Sequence, residues 1–567
     1  MRVSAIQIEQ KIGDPDVNMA TAMSYLSRAI EDGSSLVVLP ELFKTGYLHR
    51  DRRAALSFAE FVTGETTAEI ISHLRGSSAK VVFGMIESDT STGLLYNSAI
   101  VVDEDGIVGR YRKSHLYVAD SLWASSGAMA PLDFDVEGFR VRVVICADIE
   151  FPEVAYTRVT PPVDIICLPT AWVDEKAPSM NWWARAIESG ANLVCADLSG
   201  VEEGVQFSGG SSIIAPDGSI LSTIDTGSGL ISAELSQGLR PFRKIEQRLF
   251  LGTETFSREE LKLRSLSSIP KSSDLEIEVL VVDRASGPEL DSNDWSALLK
   301  DGEALQLASK RGSVGLTAIV GTGNETSLEA LMKVVEAPKQ DGDDNSELPK
   351  DMGVDGEQRR PSKIVGVTEV DRDGRRGLGV LYKGTWINVL SGEVGEVVLA
   401  GEDDLDHTSG GSQVLIVGVV DARSLNEFIE TRVVALDGAD LIFVVGSESE
   451  VPPISPRPSS KIGLPPYESW GPQTYNFSML RQRAGENSTP IVALLSDDIS
   501  VAGRDRASAR QCGVFGGDYW TFPYEEKIFG RDSCVGKSGI ESLGLQLQLK
   551  VEKGYMRRRH PDLYGLL

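Results

Sequence analysis

An α/β fold is predicted for this chain by three observations on its sequence. Short apolar runs alternate with stretches whose apolar residues recur every three to four positions. One run, SLVVLP at 35–40, is nearly all apolar, as expected of a strand buried on both faces. Segments of the first half also recur, in the same order, in the second.

The elements follow in order. Residues 3–8 alternate as a strand, and 18–30 carry a helical period. Further strands are expected at 80–87, 98–103, 141–145, 165–169, 193–197 and 211–215, with helices starting near Thr67, Pro152 and Trp182. Around 252–274 the periodicity fades into a Ser- and charge-rich connector. This divides the chain into domains at 1–255 and 275–567. Residues 338–362 are polar, acidic and carry Pro and Gly, and are expected to form a mobile surface insertion.

The internal repeat sets the architecture. KVVFGMIESDTSTGLLYNSAIVVDEDGIVGRY, from Lys80, matches KIVGVTEVDRDGRRGLGVLYKGTWINVLSGEVGEVV, from Lys363, in its strand and turn spacing. The segments ending at Pro169 and Gly446 pair, ARAIESGANLVCADLS matches QRAGENSTPIVALLSD, and FSGGSSIIAP matches FGGDYWTFP. The chain therefore reads as two diverged copies of one fold.

Composition excludes several classes of function. With 567 residues and 41% hydrophobic content, the chain can bury cores for two or three domains. A net charge of −27 argues against nucleic acid and anionic membrane surfaces as partners, since both need a basic face. Five cysteines without a CxxC pair suggest free thiols in a reducing compartment. The five histidines are scattered without HExxH spacing, so neither a metal nor another cofactor is expected. No apolar run reaches ~20 residues, and the chain opens on a strand pattern with no leader, which predicts a cytoplasmic protein.

Three polar residues of the first half each follow a predicted strand. Glu41 follows VVLP, Lys113 lies in GRYRKSHL, and Cys146 follows VRVVI. Ligands of α/β sheets bind at the carboxyl ends of strands, so the three could converge on one pocket. Taken singly, each has an ordinary structural explanation: a helix-start glutamate, a solvated lysine, a small buried thiol.

Together, VVLPELFKTGY, YRKSHL and CADIEFPE resemble the signature segments of the nitrilase superfamily of carbon–nitrogen hydrolases. PTAW, RAIESGANLV and FSGGSSIIAPDG fall in the expected order, and the resemblance runs over about 1–231. It implies two tandem αββα sandwiches packed as an intramolecular pseudo-dimer. It also implies a triad of Glu41 as general base, Lys113 as oxyanion stabiliser and Cys146 as nucleophile, with the Ala147 N–H as second oxyanion donor. The family's second carboxylate falls on Asp120, where Glu is usual. Asp148, Pro152 and Glu153 are expected to shape the turn after Cys146, and Arg185 and Glu188 to form a supporting ion pair. Glu150 and Trp172 are candidates for contacting the substrate. Core packing is an equal alternative for Trp172 and its neighbours Trp182 and Trp183.

In the second half, alignment sets Thr322, Leu399 and Val419 opposite Glu41, Lys113 and Cys146, so that copy should be catalytically dead. Its expected role is to replace a second subunit and hold the active copy's loops. Further homo-oligomerisation is left open. The function implied is hydrolysis of a small amide or N-carbamoyl compound through a thioester acyl-enzyme. A nitrilase, an acyl-transferase and a non-catalytic binding or scaffold protein are the alternatives. Pocket-lining loops, which one sequence does not resolve, would decide the substrate.

Overall fold

The computed structural model describes residues 1–237, apart from 12, 128–130, 156–162 and 174–176, together with strands and helices lying between 274 and 548. The first sheet contains β1 (Arg2–Glu9), β2 (Leu36–Val38), β3 (Lys80–Ser88), β4 (Leu95–Asp103) and β5 (Gly106–Arg112). The second contains β6 (Leu132–Val136), β7 (Phe139–Val143), β8 (Ile165–Pro169) and β9 (Asn192–Ala196). The short β10 (Leu198–Glu202), β11 (Val205–Ser208) and β14 (Gly229–Glu234) join the first sheet, and β12 (Ser212–Ile214) and β13 (Ile220–Thr223) the second.

In the first sheet β1, β2 and β3 are parallel, β4 and β5 return antiparallel, and β14 pairs antiparallel with β1. In the second, β7, β8 and β9 are parallel within the order β13-β12-β9-β8-β7-β6. The period of two divides the side chains between layers. Val3, Ala5, Leu36, Val38 and Val82 pack with Val141, Val143, Ile165, Cys167 and Leu193 of the other sheet. Ile6, Ile8, Val37, Leu39 and Phe83 turn the opposite way, toward the helices. Both faces of the central strands are therefore apolar, as the run at 35–40 led one to expect.

Helices complete the sandwich. α1 (Pro15–Glu31) is capped by Asp14, whose side chain accepts from the Val17 N–H at 3.2 Å, and Pro15 stands in its first turn. It covers the first sheet with Met19, Ala22, Met23 and Leu26, alongside α3 (Glu65–His73), which follows the short α2 (Arg52–Leu56). α4 (Pro152–Ala155) follows the Cys146 turn, and α5 (Met180–Ser189) packs Trp182, Trp183 and Ala186 against the second sheet. An αββα layering results. No helix among the described residues is long and apolar enough to cross a membrane.

The described strands of the second half are β15 (Asp274–Val281), β16 (Val314–Val320), β17 (Lys363–Val370), β18 (Arg376–Tyr382), β19 (Thr385–Leu390), β20 (Val394–Ala400), β21 (Gln413–Asp421), β22 (Leu441–Ser447), β23 (Ile491–Ser496), β24 (Cys512–Phe515), β25 (Glu526–Ile528), β26 (Cys534–Val535) and β27 (Glu541–Gln548). They form sheets of order β19-β18-β17-β16-β15-β27-β26 and β20-β21-β22-β23-β24-β25. The second of these sheets repeats the order and directions of β6 to β13, and the first repeats β5-β4-β3-β2-β1 with β27 antiparallel to β15 as β14 is to β1; among the described strands β10 and β11 have no counterpart there, and β26 is additional. Helices α6 (Phe428–Leu436) and α7 (Tyr475–Asn487) accompany the second of these sheets, and α7 contacts α5.

Strand register corrects two correspondences expected from the sequence. Asp164 donates its N–H to the Arg140 carbonyl at 2.8 Å, and its carboxylate accepts from the Arg140 N–H at 2.9 Å. Asp440 does the same with Ile416, at 2.8 and 2.9 Å. Counting forward equally from Arg140 and Ile416, the residue opposite Cys146 is Ala422, not Val419, which lies inside β21. Likewise Lys113 follows β5 and Ser391 follows β19, whereas Leu399 belongs to β20, the equivalent of β6. The ungapped alignments slipped because strand sequences of valine and glycine fit several registers equally well. Thr322 and the segment 338–362 lie outside the described residues.

Candidate active site

The carboxyl ends of β2, β5, β7 and β8 carry the polar residues of the site. Glu41 follows β2 in a turn whose next residue, Leu42, has a left-handed φ of 48°. Lys113 directly follows β5, and Cys146 opens a 3-10 turn, Cys146–Glu150, just beyond β7. Cys146 has φ +44°, a conformation that a residue with a side chain adopts only when its surroundings enforce it.

Lys113 is the hub. Its Nζ donates to Glu41 Oε1 at 2.7 Å and to Asp120 Oδ2 at 2.6 Å, with all three side chains fully buried. Asn97 Nδ2 bridges the same carboxylates, donating to Glu41 Oε1 at 2.6 Å and Asp120 Oδ1 at 3.0 Å. The Tyr117 N–H holds Asp120 Oδ2 at 2.9 Å. Glu41 Oε2 is buried and accepts no hydrogen bond, which leaves a lone pair for a proton. The Tyr47 ring lies 5.7 Å from Lys113 Nζ.

Electrostatics set the resting protonation states. Burial would lower the pKa of Lys113, but the Asp120 and Glu41 carboxylates outweigh it and hold the ammonium well above its ordinary value. Burial raises Glu41, with Asp120 adding to the rise and Lys113 opposing it. Burial and the Glu41 charge push the Cys146 thiol well above its usual range, against the charge of Lys113, the Thr170 side chain and the Ala171 N–H. At neutral pH Cys146 is therefore a thiol and Lys113 is charged, beside a Glu41 carboxyl group more basic than usual.

A second cluster fastens the cysteine turn to the lysine segment. The Asp148 carboxylate accepts from Tyr111 Oη, Ser114 Oγ, the His115 N–H and His115 Nδ1, all at 2.9 Å, and from the Ile145 N–H at 3.2 Å. The His115 ring stacks on Phe151 at 3.9 Å. Ala147 is buried in the first turn of this helix, where N–H groups have no helical carbonyl to bond.

Glu41, Lys113 and Asp120 are thus joined by hydrogen bonds, and Cys146, with Ala147 next in its turn, lies close enough to feel the charges of Glu41 and Lys113. Glu150 is buried at the end of the Cys146 turn. Trp172 is buried in the core, with its ring 5.6 Å from that of Trp182 and its backbone N–H donating to Asp197 Oδ1 at 2.8 Å. Arg185 and Glu188 do pair, at 2.5 Å. Sequence reasoning missed Asn97, Tyr47 and the partners of Asp148. The signal for Asn97 was an amide inside the buried strand β4, since a buried amide needs partners. Among the described residues, no group of three or more His, Cys, Asp or Glu side chains could hold a metal ion.

Residues 2–244 match the model of the carbon-nitrogen hydrolase family. A nitrilase from Pyrococcus abyssi is 36% identical over 223 residues, which span 84% of that protein and 39% of this chain. The chain belongs to the carbon–nitrogen hydrolase family. A 2-oxoglutaramate amidase from Bacillus subtilis is 26% identical over 245 residues, 90% of its length and 41% of this chain. Among solved structures, an amidase from Nesterenkonia sp. AN1 bearing acrylamide at its active site cysteine aligns at 26% identity and a TM-score of 0.36, covering 93% of that chain and 42% of this one. The matched family domain contains every residue of the site just described.

Proposed function

We propose that this carbon–nitrogen hydrolase cleaves a small linear amide or N-carbamoyl compound through a thioester on Cys146. The observation that carries the reading is the fully buried Lys113 ammonium, hydrogen-bonded to both Glu41 and Asp120 beside a strained cysteine turn. A structural lysine gains nothing from so complete a burial, whereas a preorganised charge in a water-poor site stabilises a developing oxyanion strongly.

In this reading Cys146 Sγ attacks the carbonyl carbon as its proton passes to Glu41, which suits a thiol too weakly acidic to ionise alone. The carbonyl electrons move onto oxygen, held by Lys113 Nζ and the Ala147 N–H. The intermediate collapses with cleavage of the C–N bond, and Glu41 returns the proton to the departing ammonia or amine. Water then attacks the thioester, gives its proton to Glu41, and the carbon–sulfur bond breaks to release the acid and restore the thiol. Asp120 and Asn97 hold Lys113 and Glu41 in register. Glu150 and Trp172 are the candidate substrate contacts.

The second half reads as a degenerate copy of the domain, packed on the first as an intramolecular stand-in for a second subunit. Its support is the repeated strand order and direction, and the contact of α7 with α5. Ala422 and Ser391, in place of a cysteine and a lysine, support its lack of a triad.

The test is ammonia release from a panel of small amides, N-carbamoyl compounds and nitriles, comparing wild type with Cys146→Ala. Release confined to wild type on amides or carbamoyl compounds supports the proposal. The similarity to a protein named nitrilase favours a second reading, which preference for nitriles would select. No release from any class, with Cys146 also inert to an electrophilic acylating probe, overturns the catalytic reading.

A further inference from the structure

Arg185 on α5 links the cysteine turn to the second half of the chain. One edge of its guanidinium faces the turn: Nε donates to the Ile149 carbonyl at 2.8 Å and Nη2 to the Glu150 carbonyl at 3.3 Å. These carbonyls belong to the end of the helical turn that Cys146 opens. The other edge meets two carboxylates. Nη1 bonds Glu188 Oε1 at 2.5 Å, and Nη2 bonds Glu486 Oε2, from α7, at 2.7 Å.

The second half mirrors this pair. Arg483 Nη1 lies 2.7 Å from Glu486 Oε1, and its Nη2 lies 2.9 Å from Glu188 Oε2. Each helix thus supplies an arginine and a glutamate one turn apart, and the four charges close a ring across the contact. All four side chains are at most 1% exposed. Gln482 Nε2 adds a bond to Glu486 Oε2 at 3.2 Å and another to Asn181 Oδ1 at 2.8 Å.

Glu188 and Glu486 each bridge both arginines, so neither carboxylate alone fixes the Arg185 plane. Glu486 supplies the second point of attachment, directly on the nitrogen that also holds the Glu150 carbonyl. Without it, Nε and Nη1 keep their bonds to Ile149 and Glu188, and Nη2 is left with only its long 3.3 Å bond to the Glu150 carbonyl, the contact that loosens first. A cysteine at φ +44° keeps its geometry only while its surroundings over-determine it.

We propose that Glu486, contributed by the second half of the chain, is a positioning residue for Cys146, acting through Arg185 and the Ile149 and Glu150 carbonyls. The proposal rests on Cys146 being the nucleophile. It makes the second half a working part of the active site rather than only a cover for an apolar surface.

The test compares full-length wild type, Glu486→Gln, Glu486→Asp and a stability control, Phe443→Leu, in β22 of the second half. Two readouts are taken well below each variant's melting temperature: kcat and KM on the preferred amide, and the rate of Cys146 alkylation by iodoacetamide. Expected for Glu486→Gln is a fall of about 10- to 100-fold in kcat with KM little changed, together with slower alkylation. Glu486→Asp recovers part of both, and Phe443→Leu keeps wild-type values. A folded Glu486→Gln with wild-type kcat and alkylation overturns the proposal, as does an equal loss in Phe443→Leu. Alkylation needs no amide turnover. If wild type hydrolyses nothing yet its alkylation depends on Glu486, the positioning role stands and the proposed reaction fails. A wild-type thiol inert to both readouts overturns both.

Discussion

Between the buried carboxylates of Glu41 and Asp120 stand two donors, Lys113 Nζ and Asn97 Nδ2, which make their closeness tolerable. Burial raises the Glu41 carboxyl and the Asp120 charge adds to the rise, against the Lys113 charge and the hydrogen bonds from Lys113 and Asn97. Its pKa lies above the ordinary 4.5 as a result. In the proposed reaction Glu41 acts as base in its deprotonated form, so kcat/KM should fall as pH drops through a midpoint above 4.5. Lys113 is displaced upward and stays charged through neutrality, so it sets no limb there. Glu41→Gln should lower kcat/KM by at least ~100-fold and remove the acid limb. A pH–rate profile of both proteins checks this, and an acid limb surviving in the variant would assign it to another group.

Single elements aim these groups. β3 runs beneath the Glu41 turn, and Gly84 lies within it. A Cβ at Gly84 would stand 2.6 Å from Glu41 Cα and 2.7 Å from the Leu42 nitrogen, both backbone atoms that cannot swing away. Gly84 has no positive φ, so the cost of replacing it comes from contact alone. Gly84→Ala should therefore destabilise by about 1–3 kcal/mol and displace Glu41 from Lys113. Thermal unfolding together with kcat/KM would show both effects; a variant of unchanged melting temperature and activity would mean that the turn yields freely. The Asp148 cluster does the equivalent work for Cys146, tying the 3-10 turn to the segment after β5 through Tyr111, Ser114 and His115.

At the scale of the whole molecule, the contact between α5 and α7 is charged where most buried contacts are apolar. Burial raises the pKa of Glu486, but Arg483, Arg185 and Arg432 outweigh it and hold it at about 2. A carboxyl depressed in this way stabilises the fold above its ordinary value of 4.5, and the contribution is lost as pH falls toward about 2. The loss should amount to about 3 kcal/mol, and Glu486→Gln should lack that slope. Unfolding free energies of the two proteins across this range test it; parallel acid profiles would refute the assignment. Arg432 Nε, 3.1 Å from Glu153 Oε1, adds a third ion pair between the halves near the same turn, beside Arg185–Glu486 and Arg483–Glu188.

Much of this organisation was legible in the chain itself. Apolar alternation located β1, the apolar run at 35–40 located β2, and the 165–169 strand coincides with β8, because period and burial are local properties of the sequence. Glu41, Lys113 and Cys146 stood out because each follows a predicted strand, where α/β sheets place their chemistry, and because their three segments together resemble one family's signatures. Asp120 could be named as a carboxylate, but only the fold put it on Lys113. Asn97 and Tyr47 join the site from β4 and from the loop beyond β2, and no local pattern signals such a meeting. Glu486 lies farther still: its sequence says only that a helix carries an arginine and a glutamate one turn apart. That this pair closes a ring with Arg185 and Glu188 depends on how two helices some three hundred residues apart come to face each other. The periodicity of a chain determines which residues turn inward, while the partner each one meets there is decided by long-range packing, to which local sequence carries no register.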